Sequence, residues 1–233
     1  TTFNKAAIQS LASLTASLIT PNRIGEYGVK SLYFEKYLRK KIIGVNFVGN
    51  FYQLMATLFF GTLGITYFVI EQPVKINFGS IVPYAIFLFF VIFTLFFIVT
   101  STNFIISYLR KIRDFLTKIP LNLHLKVMLF SFIRFIIFSH QFYFLLLFLH
   151  PDIQYLEAIT SIGGVYLIAS ITPILSVFDF ILKGSIAIWI FSFFNINPNI
   201  IVTITTLMWI LNFAIPAIVG GYFVITFKPE FVQ

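Results

Sequence analysis

The chain has 233 residues, of which 59% are hydrophobic and 10% charged, against roughly half and a quarter in a soluble domain. That balance excludes a soluble enzyme, and the absence of Cys beside 32 Phe residues excludes a disulfide-stapled scaffold or a thiolate metal site. The 16 Lys and Arg exceed the 8 Asp and Glu for a net charge of +8, which in so apolar a chain is a membrane-orientation signal and not a nucleic-acid footprint.

A helix that crosses a hydrocarbon core needs about 20 mostly apolar residues. The first apolar stretch, 6–20, has about 15 and stops at Thr20-Pro21. Proline lacks a backbone donor and biases its predecessor away from helix, so the chain is expected to break at Pro21 and resume as a second helix. This predicts a re-entrant helical hairpin, the alternative being one full span with a proline kink. Lys36, Arg39, Lys40 and Lys41 precede a full span at 42–70. After a loop, 71–80, in which Lys75 is the only basic residue, a second full span is expected at 81–108. Arg110, Lys111, Arg113, Lys118 and Lys126 fill the next loop, and a third span runs over 127–149. The segment 150–157 carries Asp152 and Glu157 without Lys or Arg. The stretch 158–172 repeats the first pattern, ending at Thr172-Pro173 with a break and a second helix, and a fourth full span occupies 200–227. By the positive-inside rule the two basic loops are cytoplasmic, so the first hairpin enters from the cytoplasm and the second from outside.

The two breaks are alike beyond their prolines. Ala16, Ser17, Glu26 and Lys30 recur at one constant offset as Ala169, Ser170, Asp179 and Lys183. Ile19-Thr20-Pro21 recurs as Ile171-Thr172-Pro173 with one residue fewer between the copies. Insertion from opposite sides makes this an inverted-topology repeat, an architecture in which broken helices flank a central binding site. The expected fold is therefore an all-α polytopic membrane protein with two Pro-broken re-entrant helical hairpins and at least four full transmembrane helices. It forms one integral membrane domain over 1–233, with halves of roughly 1–115 and 116–233.

Around these motifs, Thr20-Pro21-Asn22-Arg23-Ile24-Gly25-Glu26-Tyr27-Gly28 resembles the Thr-Pro-Gly-x-x-Gly-Glu signature of the lysylphosphatidylglycerol synthase transmembrane, or flippase-like, family. Asn22 stands where that family usually has Gly. The segment from Thr172-Pro173 to Asp179, and the closing Trp209, Asn212, Pro216, Gly220 and Gly221, are similar to the family's second half. The resemblance implies a multi-pass protein of a bacterial or archaeal cytoplasmic membrane, with additional N-terminal spans before Thr1. Some members carry a fused aminoacyl-transferase domain and are thought to move modified phospholipid between leaflets; no such domain is present in this sequence.

Charges inside a membrane are costly, so each is a functional candidate with a partner to be named. Glu26 with Lys30, and Asp179 with Lys183, are i, i+4 pairs with the acid toward the N-terminus, as that pairing prefers. They neutralise each other structurally, or they face a shared polar cavity with Arg23 and bind a lipid phosphate at two helix N-termini. Arg134 lies well inside the third span and either snorkels to the interface or contacts phosphate. Gln141 shares its face at a seven-residue spacing. His140 carries a proton or makes a structural hydrogen bond. The candidate substrate-binding set is Arg23, Glu26, Lys30, Arg134, His140, Asp179 and Lys183.

Gly163-Gly164 and Gly220-Gly221 suggest close helix packing. No catalytic set, cofactor or metal site is expected. Three functions fit: lipid translocation between leaflets, proton-coupled transport of a small solute, or a non-transporting partner of an envelope-lipid or aminoacyl-transferase enzyme in another chain. Membrane lipids are the expected partners, and nucleic acid is not.

Overall fold

Helix accounts for nearly all of the described residues of the computed structural model, and no strand occurs among them. The structure describes residues 2–18, 20, 23–72, 110, 113–172 and 175–226. In chain order these form α1 (Phe3–Ser17), α2 (Ile24–Leu32), α3 (Lys36–Glu71), α4 (Leu121–Leu149) and α5 (Tyr155–Ile171). A 3-10 turn (Ser176–Phe178), α6 (Asp179–Phe191), a second 3-10 turn (Ser192–Phe194), α7 (Pro198–Trp209), a π turn (Ile210–Ala214) and α8 (Ile215–Ile225) complete them.

Among the described residues four helical segments are long and apolar enough to cross a membrane: Lys36–Glu71, Leu121–Leu149, Ser176–Phe194 and Pro198–Ile225. Three contain or largely overlap the spans expected at 42–70, 127–149 and 200–227. The span expected at 81–108 lies outside the described residues. The fourth segment, Ser176–Phe194, is the limb after the second break. With 19 residues it reaches about 28 Å at 1.5 Å per residue, close to the thickness of a hydrocarbon core. The limb after the first break, α2, has 9 residues and cannot do so. The architecture is that of a helical multi-pass membrane protein, and its surface agrees: Phe47, Phe51, Phe59, Phe130, Phe144 and Phe148 all face outward.

Lipid gives helices no hydrophobic reason to associate, so their close contacts depend on small residues and hydrogen bonds. α3 packs on α5 through Gly61 and Gly64, where an added Cβ would run into Leu167 and the Thr160 carbonyl. α1 packs on α8 at Gly220, which lies against the Leu11 carbonyl, and Thr15 Oγ1 donates to the Ala217 carbonyl at 2.7 Å. The packing role expected of Gly163-Gly164 and Gly220 is observed, with Gly163 facing the Phe60 carbonyl and Gly164 facing Ile65, whereas Gly221 makes ordinary contact only.

α4 is held by longer groups. Phe60 stacks on Phe135 with ring centroids 4.8 Å apart, Phe142 stacks on Phe191 at 5.8 Å, and Tyr166 Oη donates to the Phe138 carbonyl at 3.2 Å. Aromatic spacers of this kind hold α4 away from its neighbours and leave room between the helices. Phe142, Leu146, Ile162, Ile190, Phe191, Ile201 and Ile204 are fully buried and form a core shared by α4, α5, α6 and α7.

Both expected breaks are present, and each joins helices that pack on one another. α1 ends at Ser17 and α2 starts at Ile24. Thr20 ties the two together: its hydroxyl donates to the Ala16 carbonyl at 3.2 Å and accepts from the Gly25 amide at 2.9 Å. Gly25 lies so near the Ala16 carbonyl and Thr20 Oγ1 that a side chain would collide with them. Arg23, the residue preceding α2, has φ of 59°, a left-handed conformation that is rare outside glycine. At the second break α5 ends at Ile171 and the chain re-enters helix through the 3-10 turn.

α7 starts with Pro198 at its first position, capped by Asn197, whose side chain accepts from the Asn199 amide at 2.9 Å. Pro216 cannot donate to the carbonyl one turn back, and the helix widens into the π turn immediately before it. Asn212 sits within that turn.

The chain divides into two compact units, Thr1–Gln72 with Val127–Gln233, and Pro73–Lys126. The first draws on both of the expected halves, 1–115 and 116–233. In the second, the described residues include an Arg113–Asp114 pair at 3.4 Å.

Candidate functional site

Three spans carry polar side chains near their midpoints, where nothing but a cavity or a partner can satisfy them. α3 has Asn50, Gln53 and Thr57, α4 has Arg134, and the α7–α8 segment has Asn212. These residues line one cavity of about 550 Å³ within the first unit. The two breaks supply further polar residues of its wall. Arg23 and Tyr27 come from the start of α2, Ser170 and Thr172 from the end of α5, and Asp179 and Lys183 from the start of α6.

The charges are arranged unevenly. Lys183 Nζ donates to Asp179 Oδ2 at 2.6 Å, the i, i+4 pair expected from sequence, and Lys183 also lies 5.6 Å from the centre of the Tyr166 ring. Glu26 does not pair with Lys30. Glu26 faces Arg23 instead, the left-handed residue that precedes α2, whose Nε lies 3.6 Å from Glu26 Oε2, an ion pair beyond hydrogen-bond distance. Arg23 also lies over Phe213 at 5.9 Å. Arg134 has no carboxylate within ion-pair distance among the described residues. It rests over Phe138 at 5.5 Å, exposed to the cavity and within electrostatic reach of Arg23 and Glu26.

Of the seven candidates, the structure brings Arg23, Arg134, Asp179 and Lys183 together on the cavity wall. Glu26 stands behind Arg23 as its counter-ion. Lys30 lies two helical turns beyond Arg23 and does not line the cavity. His140 does not either: its Nδ1 meets the Ile136 carbonyl at 2.9 Å and its Nε2 meets the Tyr155 hydroxyl at 3.0 Å. One residue along a helix is a rotation of about 100°, so His140 turns toward α5 while its neighbour Gln141 accepts from Asn212 Nδ2 at 2.8 Å.

The neutral polar residues of α3 were not among the candidates. Their signal was readable, since Asn50, Gln53 and Thr57 recur at i, i+3 and i+7 on one face of an apolar span. Trp209 also lines the cavity, and its indole Nε1 is buried without a hydrogen-bond partner among the described residues.

Three cations on the wall, two of them paired with Asp179 and Glu26, leave Arg134 as a positive group facing the cavity without a carboxylate among the described residues, an arrangement suited to an anion. The volume lies within the roughly 300–1,000 Å³ typical of small-molecule sites. A second groove of about 560 Å³, on the other side of α3, is apolar and lined by Met55, Leu58, Phe59 and Leu63 among others. It lacks any charged group and cannot recognise an anion. Comparison of the chain with family models, with curated proteins and with solved structures finds no match.

Proposed function

We propose that this protein binds the phosphate-bearing headgroup of a phospholipid, or of a related amphipathic lipid, in the mid-span cavity and moves it between leaflets. The observation that carries this proposal is the convergence of Arg23, Arg134 and Lys183 on a cavity of about 550 Å³ inside a bundle whose outer surface is apolar. A headgroup needs charged and hydrogen-bonding partners at that depth, while its acyl chains need none and can stay in lipid. The first break, whose second limb has only 9 residues, is read as a re-entrant hairpin, the device that places helix ends at mid-membrane. This agrees with the resemblance to the flippase-like family and with a place in a bacterial or archaeal cytoplasmic membrane. The binding roles fall on Arg134, Arg23, Lys183 and Asp179, with Glu26 positioning Arg23.

The test is reconstitution into liposomes carrying a fluorescent phospholipid whose outer-leaflet fraction is bleached by dithionite. Wild type is expected to exchange lipid between leaflets faster than protein-free vesicles, and Arg134→Gln to slow that exchange roughly tenfold. Equal rates for wild type and Arg134→Gln would remove Arg134 from the mechanism. Proton-coupled solute uptake without lipid exchange would replace the proposal with a solute transporter.

A further inference from the structure

The cavity has two chemically different walls. One is charged, formed by Arg23, Arg134, Asp179 and Lys183; the other is neutral, formed by Tyr27 of α2 with Asn50, Gln53 and Thr57 of α3. On the neutral wall Asn50 Nδ2 donates to Tyr27 Oη at 2.5 Å, and the Thr57 hydroxyl donates to the Gln53 carbonyl at 3.0 Å. Among the described residues the side-chain amide of Gln53 has no hydrogen-bond partner, and the Asn50 amide has none beyond Tyr27 Oη. A primary amide offers two donors and an acceptor with two lone pairs, and leaving these unused inside a membrane span is unfavourable. The neutral wall therefore has spare donors and acceptors in alternation.

Among the described residues the same cavity has no spare negative charge. Asp179 is engaged by Lys183 at 2.6 Å and Glu26 by Arg23 at 3.6 Å, so an ammonium group would have to break a standing ion pair to find a carboxylate. The cation without a carboxylate partner, Arg134, suits an anion.

Resting on the lipid-binding proposal above, we infer that the cavity selects a phosphodiester lipid whose headgroup beyond the phosphate is a neutral polyol, glycerol or a sugar, over one that carries an amine. Arg134 takes the phosphate oxygens. Gln53 and Asn50 take the hydroxyls, each of which both donates and accepts and so matches an amide.

The chain has two Trp residues, and Trp209 lines the cavity while Trp189 faces outward, so a Trp189→Phe background isolates a reporter at the site. The full chain in detergent is titrated with dihexanoyl phosphatidylglycerol, dihexanoyl phosphatidylethanolamine and free glycerophosphoglycerol, following Trp209 fluorescence. Phosphatidylglycerol is expected to bind about tenfold more tightly than phosphatidylethanolamine, with Gln53→Leu bringing the two within about twofold by weakening phosphatidylglycerol alone. Free glycerophosphoglycerol is expected to compete more weakly than the lipid; equal affinity for the two would make the ligand a soluble phosphodiester and overturn the lipid assignment. Equal binding of both lipids by wild type overturns the polyol preference and leaves the anion site standing. Binding of none of the three probes overturns both. The wild-type ratio decides the preference even if Gln53→Leu does not fold.

Discussion

The two helix breaks begin from nearly the same residues and reach the cavity by different routes. At the first, a left-handed Arg23 folds back onto Glu26 at 3.6 Å, and Lys30, the formal counterpart of Lys183, is left off the cavity. At the second, the acid comes first and the cation one turn later, joined at 2.6 Å. Each break thus delivers one cation with its own acid nearby, although the cation precedes the acid in one copy and follows it in the other. What the two share is a local charge arrangement at a helix start, and the side chain that supplies it can change.

The routes also differ in packing. The first break is pinned by Thr20 and by the close approach of Gly25 to the Ala16 carbonyl, whereas the second turns through a 3-10 segment. The largest expected effect follows from this. Gly25→Val forces a side chain against the Ala16 carbonyl and should destabilise the protein by about 3 kcal/mol, measured as a fall in melting temperature in detergent. Gly28, three residues on in the same helix, faces open space and supplies the control.

Next in size is the tight pair. Asp179→Asn leaves Lys183, a half-exposed cation in an apolar bundle, without its partner, at a cost of about 2 kcal/mol, between the values for surface and buried pairs. Adding Lys183→Met should restore most of that loss, because it removes the stranded charge. The longer pair of the first break gives a smaller effect: Glu26→Gln is expected to cost less than about 1 kcal/mol. Equal losses for Asp179→Asn and Glu26→Gln in thermal unfolding would erase the distinction between the breaks. Smallest of all, Gly28→Ala should raise stability by about 0.5 kcal/mol, since it restricts the unfolded chain and meets nothing in the fold.

The spans at 42–70, 127–149 and 200–227 were legible because hydropathy and length alone decide them. Ser176–Phe194 was not recognised as spanning length. Asp179 and Lys183 interrupt its apolar run, and the 3-10 turns that extend α6 at both ends leave no periodic signature. The Asp179–Lys183 pair follows from helical spacing and was readable for that reason. The Arg23–Glu26 pair, at i, i+3 across the start of α2, competes with Glu26–Lys30 at i, i+4, and helical spacing alone does not choose between them. His140 and Gln141 show the same limit at finer scale: a single step along α4 separates a side chain bonded to Tyr155 from one bonded to Asn212, which lines the cavity.

The convergence of polar side chains on a mid-span cavity is tested most directly by thiol accessibility in this Cys-free chain. Thr57 lines the cavity and Phe59 the apolar groove on the other side of α3, at depths that differ by only about 3 Å. In proteoliposomes, Thr57→Cys is expected to react with a membrane-impermeant maleimide and to be protected by short-chain phosphatidylglycerol, while Phe59→Cys stays unreactive. Equal reactivity at the two positions, or labelling of Phe59→Cys alone, would contradict a polar cavity on that face.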